Sequence, residues 1–136
     1  MDRFQFGYNK VLGTFPVVYV AGMTGYFNQI YDYRLYLLEN GFFFVHKKEN
    51  KFPKIFIPHS CISKFELVGN ESLASLREGH DASLKCNIKI TYEYNHVHSV
   101  VVFRIYYVRD CKKLEAIMRN NNIFAQFRQP PQQSAT

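Results

Sequence analysis

The chain has 136 residues, 47% of them apolar and 17% aromatic, with 13 Phe, 10 Tyr and no Trp. That is one domain's length and enough to bury a core without staples, which leaves a globular chain as the class that fits. The formal charge of +6 permits an anionic partner without requiring one, and no apolar stretch nears the ~20 residues of a membrane-spanning helix.

The opening Met-Asp-Arg-Phe-Gln-Phe-Gly lacks the basic start and apolar run of a secretion signal. The expected location is cytoplasmic, either free or peripheral at the inner membrane surface. Cys61, Cys86 and Cys111 form no close pair. They are read as separate buried or half-buried thiols in a reducing compartment, not as a disulfide framework or a CxxC site.

Residues 1–14 read as a lead-in. Phe15 to Ala21 is a first strand, broken by Gly22-Met23-Thr24-Gly25. Asp32 to Leu38 and Phe42 to His46 flank Asn40-Gly41, the pair best suited to a type I′ hairpin turn with positive φ at both residues. Lys47 to Pro53 is a polar loop. Lys54 to Ile57 is a short fourth strand ended by Pro58, and Ile62 to Val68 a fifth. Gly69 to Ser83 reads as a long loop, with one helical turn around Leu73 to Leu76.

The sixth strand has the clearest period. Cys86, Ile88, Ile90, Tyr92 and Tyr94 alternate with Lys85, Asn87, Lys89, Thr91 and Glu93, so one face is buried and one is wet. Asn95-His96-Val97 turns it. His98 to Val108 follows, with Val101, Phe103, Ile105 and Tyr107 toward the core. Asp110 is placed to cap a helix whose apolar stripe is Cys111, Leu114, Ile117 and Met118. Asn120-Asn121-Asn122 ends it through a left-handed cap. Gln129 to Thr136 is a Pro/Gln tail, expected to be disordered. The domain proper is 15–124, with 125–136 assigned to the tail.

Seven sequential strands and one C-terminal helix argue a mainly β fold, an antiparallel barrel or sandwich capped by a helix. Tyr33–Leu38, Gly41–His46, the strand end Ile55-Phe56-Ile57-Pro58, the short Ile62-Ser63-Lys64-Phe65-Glu66-Leu67 and the closing Val100–Val108 with Asp110–Asn120 are the residues that matter here. Over residues 15–124 they resemble the pleckstrin-homology-like superfamily in its bacterial PH and GRAM branch. The resemblance implies a binding module and no enzyme. Such domains bind phosphoinositides, other lipids, peptides or neighbouring protein domains. The phosphoinositide-binding subset carries a Lys and an Arg-x-Arg-like pattern in the first loop. Here no Lys or Arg lies between Gly22 and Asp32.

Four constellations carry possible chemistry. Lys47, Lys48, Lys51 and Lys54 form the densest basic cluster. In the resembling fold they share an end with Met23, Tyr26 and Phe27, an apolar tip beside cations that suits an anionic lipid surface. The bland alternative is a solvated loop with its aromatics folded inward. His96-x-His98 has ligand spacing for a metal but lacks a third ligand, unless His80 or Asp81 supplies one. His59 near Cys61 is not a nucleophile–base geometry by itself, and there is no nucleophile elbow, phosphate-cradling loop or paired-carboxylate motif. No cofactor or metal is expected. Tyr92, Tyr94, Tyr106 and Tyr107 with Lys85 and Lys89 could form a stacking platform, but Tyr92 and Tyr94 fall opposite the lysines, so nucleic acid is not the expected partner. The reading is a non-catalytic binding module for an anionic lipid surface or a protein. The alternative is an assembly protein that oligomerises through strand edges and an aromatic surface.

Overall fold

The computed structural model describes residues 10–23, 30–48, 51–69 and 86–128. Seven strands form one antiparallel sheet: β1 (Val11–Ala21), β2 (Ile30–Leu38), β3 (Gly41–His46), β4 (Ile55–Pro58), β5 (Ile62–Gly69), β6 (Cys86–Tyr94) and β7 (Val97–Ile105). One helix, α1 (Val108–Asn120), follows. The hydrogen-bonded order is β4-β3-β2-β1-β7-β6-β5. Two meanders, β1 to β4 and β5 to β7, are therefore joined where the first strand meets the last.

The sheet curls around its core. Phe44 on β3 stacks on Phe103 of β7 at 3.9 Å between ring centroids, although β2 and β1 lie between them in the hydrogen-bonded order. Phe42 likewise stacks on Phe65 of β5 at 5.4 Å. The alternating residues Val17 and Tyr19, Tyr33 and Leu35, and Ile88 and Ile90 fill the space between. The period expected for β6 holds from Cys86 to Ile90, while Tyr92 is only partly buried and Tyr94 is exposed.

The sheet is not a closed barrel. Its edges are β4 and β5, and they do not pair. β4 has only four residues, ends on a proline without an amide donor, and turns directly into a 3-10 turn at His59–Cys61. The segment after α1 spans this gap instead. Phe127 packs near Phe65 and His59, and the Arg128 amide donates to the Ile62 carbonyl at 2.7 Å. Residues after 124 thus belong to the packed domain at least as far as Arg128. At the other end, β1 begins at Val11 and not at Phe15. The long loop, its expected helical turn and the tail beyond Arg128 lie outside the described residues.

The β2–β3 hairpin forms, but Asn40-Gly41 is not its type I′ pair. Leu37 pairs with Phe42, Glu39 and Asn40 make the bend, and neither Asn40 nor Gly41 has positive φ. Gly41 is needed for a different reason. A Cβ there would come within 2.7 Å of the Ile57 carbonyl oxygen on β4. The positive-φ pair is Asn95-His96, at 52° and 67°, between β6 and β7. Gly22, at φ 115°, is the other strict glycine, because a Cβ would sit 2.7 Å from the Val101 Cα.

β7 ends at Ile105, so Tyr106 and Tyr107 lie beyond the strand, and Tyr107 is exposed instead of facing the core. The helix starts at Val108 with Tyr107 in the cap position. Asp110 lies inside the first turn and makes no side-chain cap, though its charge still suits the positive helix end. Leu114 and Met118 are fully buried, each worth about 2 kcal/mol of apolar burial. The helix ends as expected. Asn122 is left-handed at φ 55°, its amide bonds the Arg119 carbonyl, and the Ile123 amide bonds that of Met118.

Cys86 and Cys111 form a disulfide that ties the start of β6 to the first turns of α1. This corrects the expectation of separate thiols and removes the ground for a reducing compartment. Cys61 alone is a free thiol. Reduction opens a loop of 25 residues in sequence and is expected to cost about 2–4 kcal/mol of stability. Urea midpoints with and without a thiol reductant check this, and an unchanged midpoint would show that the bond is not closed in solution.

Candidate functional site

The basic loop after β3 is pinned from beneath. The Lys47 amide donates to the Asp32 carbonyl at 3.0 Å, and the Lys51 amide to that of Lys48 at 2.9 Å. His46 is buried, and its Nδ1 accepts from the Lys48 amide at 2.8 Å. The Phe52 ring lies 4.3 Å from the His46 ring. Tyr33 is buried on β2 and needs a partner for its hydroxyl, which it finds by donating to the Pro53 carbonyl at 2.5 Å. Core residues therefore fix both ends of the loop, while Lys47, Lys48, Lys51 and Lys54 stay exposed.

The lysines divide between two neighbouring hollows. Lys47 lines one of about 370 Å3 with Arg34, Tyr36 and Tyr106. Lys48 and Lys51 line one of about 400 Å3 with Tyr31 and Phe52. Asp32 and His46 belong to both. Lys54 lines neither. Met23 also lines neither and packs against the core, its amide donating to the Tyr19 hydroxyl at 2.7 Å. Tyr26 and Phe27 lie outside the described residues. The structure thus brings three of the four lysines into one neighbourhood and turns Met23 inward.

Sequence reasoning singled out Tyr106 and Tyr107 but set them beside Lys85 and Lys89, and it missed Tyr31 and the pairing with this loop. Tyr31 is 54% exposed and Tyr106 42%, and their rings stack at 6.4 Å. Tyr107 continues the row at 6.0 Å, with the Arg109 guanidinium 4.9 Å over its ring. Partial burial, then the nearby Asp32 carboxylate and the neighbouring phenols, raise the Tyr106 pKa above its ordinary value. The available signal was Tyr106-Tyr107 at the end of an alternating strand, where one of two adjacent tyrosines must leave the core face.

The other constellations give less. His96 and His98 flank Glu93 at 3.9 and 3.5 Å, and no group of three or more potential metal ligands occurs among the described residues. His59 is buried with its ring against Phe42 and Phe127, so it is a core residue beside a half-buried Cys61. Tyr92 and Tyr94 do stand on the face of Ile88 and Ile90, opposite Lys89. Only Tyr92 packs against the core, while Tyr94 is exposed. Both line an apolar hollow of about 420 Å3 with Phe56, Pro58 and Val97. No described helix is long and apolar enough to cross a membrane. No protein-family model matches the chain, and no curated protein is significantly similar to it.

Proposed function

We propose that the chain is a non-catalytic, pleckstrin-homology-like binding module that docks onto an anionic lipid surface, or an acidic protein partner, through Lys47, Lys48, Lys51 and Lys54. Two meanders joined through β1 and β7, with a helix packed at the end, support the architectural part of this reading. The observation that carries the functional part is the pinned loop. Its lysines are exposed while its backbone is bonded to buried Tyr33 and His46, so little ordering is needed when an anion arrives. A lysine near an anionic surface contributes about 1 kcal/mol. Reversing two charges with Lys47→Glu and Lys48→Glu is therefore expected to weaken binding to phosphatidylserine vesicles at least tenfold. Native binding should fall with added salt and be absent on zwitterionic vesicles. Equal sedimentation with both vesicle types, or none with either, would refute the lipid form.

A second reading has its own observation. Tyr36, Phe43 and Phe56 form a cross-strand row on the outer face of β2, β3 and β4, with centroids 6.4 and 6.1 Å apart, and it reaches the unpaired edge of the sheet. Such a row beside an open edge suits self-assembly. Sedimentation across a wide concentration range tests it. A strictly monomeric species excludes assembly, and a dimer lost on Phe56→Glu supports it.

A further inference from the structure

We propose that the two hollows flanking Asp32 form one binding track for single-stranded nucleic acid, in which bases stack on exposed tyrosines and phosphates meet the surrounding cations. The inference rests on the basic loop being an anion-binding surface, but not on that anion being a lipid.

Each hollow repeats the same pair of features. The first sets Arg34 and Lys47 beside Tyr36 and Tyr106. The second sets Lys48 and Lys51 beside Tyr31 and Phe52. They are joined through Asp32 and His46, and the Tyr31–Tyr106 stack links their rims. Each hollow thus sets rings beside cations, and the two hollows share Asp32 and His46. A polymer that carries both rings and anions matches that pairing, whereas a lipid headgroup or a bare phosphate brings no ring for the tyrosines. Every base has a π-face, so recognition of this kind tolerates sequence. Both volumes fall within the range of small-ligand sites.

Asp32 looks like an obstacle, since among the described residues it is the one carboxylate lining the two hollows, against four cations. Its position explains it. Asp32 is held in a left-handed conformation at φ 66°, with its carbonyl engaged by the Lys47 amide, at the junction of the hollows. There a carboxylate can accept from a sugar hydroxyl or a base amino group between two phosphates, and it would repel a phosphate placed on the junction itself. Arg109 extends the track past Tyr107.

The test uses the full chain and fluorescence anisotropy with labelled oligo-uridylate of about a dozen nucleotides. Controls are an abasic oligonucleotide of equal length, inorganic polyphosphate and phosphatidylserine vesicles. Binding to oligo-uridylate should weaken with salt, because phosphate contacts release counterions. The abasic strand should bind at least about tenfold more weakly, as loss of base stacking demands. Tyr106→Leu, at an exposed position, should lose about tenfold on oligo-uridylate and nothing on vesicles. Equal binding of abasic and normal strands, or of polyphosphate, would overturn the track while leaving the anion surface standing. Vesicle binding without oligonucleotide binding would do the same. Loss of both would remove the basic-surface reading as well. Because the abasic comparison uses the native protein, it decides the matter even if the variant misfolds.

Discussion

Phe103→Ala should cost about 4 kcal/mol of folding stability, the largest effect expected of any single substitution considered for this chain. Phe103 is fully buried on β7. It stacks on Phe44 at 3.9 Å and meets the edges of Tyr19 at 5.6 Å and Tyr33 at 5.4 Å. Those three rings come from β3, β1 and β2, so the one side chain holds the last strand against three of the four strands of the first meander. Removing it deletes burial and leaves a cavity that rigid strands cannot collapse into. The loss approaches the total stability of a modest domain. Phe56→Ala is the contrasting case. Phe56 is 42% exposed on the outer face, and its loss should cost less than about 1 kcal/mol. Urea midpoints of the two variants check the pair. If Phe103→Ala lost under about 1 kcal/mol, the curl of the sheet around this stack would be wrong.

Phe103 also shows how much of the fold was legible in the sequence. Its inward direction follows from the alternation of Val101, Phe103 and Ile105. Its partner does not, because Phe44 sits three strands away in the hydrogen-bonded order, and only the curvature brings the two together. The element order, the β6 period and the Asn122 cap could be read locally, since each depends on neighbouring residues. The turn chemistry was half legible. Gly41 drew attention as a hairpin residue, yet its requirement comes from the backbone of β4, a contact no local pattern encodes. Openness of the sheet and the Cys86–Cys111 bond are long-range in the same sense. Both depend on where α1 and the segment directly after it return.

The candidate site divides in the same way. Its lysines stood out because they are adjacent in sequence. Tyr31 did not, and Tyr106 was set beside the wrong lysines, because Tyr31 lies on β2 and Tyr106 follows β7, and these meet only because each strand pairs with β1. The core and the site are also physically connected. Tyr33 packs against Phe103 with its ring and holds the lysine loop with its hydroxyl. Tyr33→Phe keeps the ring and releases the loop, so it separates loop order from core packing, which Phe103→Ala cannot.

Acid should destabilise the fold through His59 before its carboxylates protonate. His59 is buried at the β4–β5 turn. Its Nε2–H donates to the Leu38 carbonyl at 3.1 Å, and its Nδ1 has no hydrogen-bond partner among the described residues. Burial among the Phe42 and Phe127 rings disfavours the imidazolium. This outweighs the Leu38 bond, which acts the other way, and the net pKa falls from 6.5 to about 4. The folded state therefore resists a proton that the unfolded chain accepts. As pH falls through 6.5 the unfolded chain protonates first, and stability declines until pH reaches about 4, where the folded state protonates too. Between pH 7 and 5 the loss should be about 2 kcal/mol, nearing about 3 kcal/mol at pH 4. His46 is the second buried imidazole, so the slope is read as the difference between the native chain and His59→Gln. The amide of Gln can still donate to Leu38 but cannot titrate. Urea midpoints from pH 7 to 4 should converge toward acid, with the native chain losing more. Parallel curves would mean that His59 is protonated or solvated in the fold, and that the Phe127 segment does not seal the gap between β4 and β5.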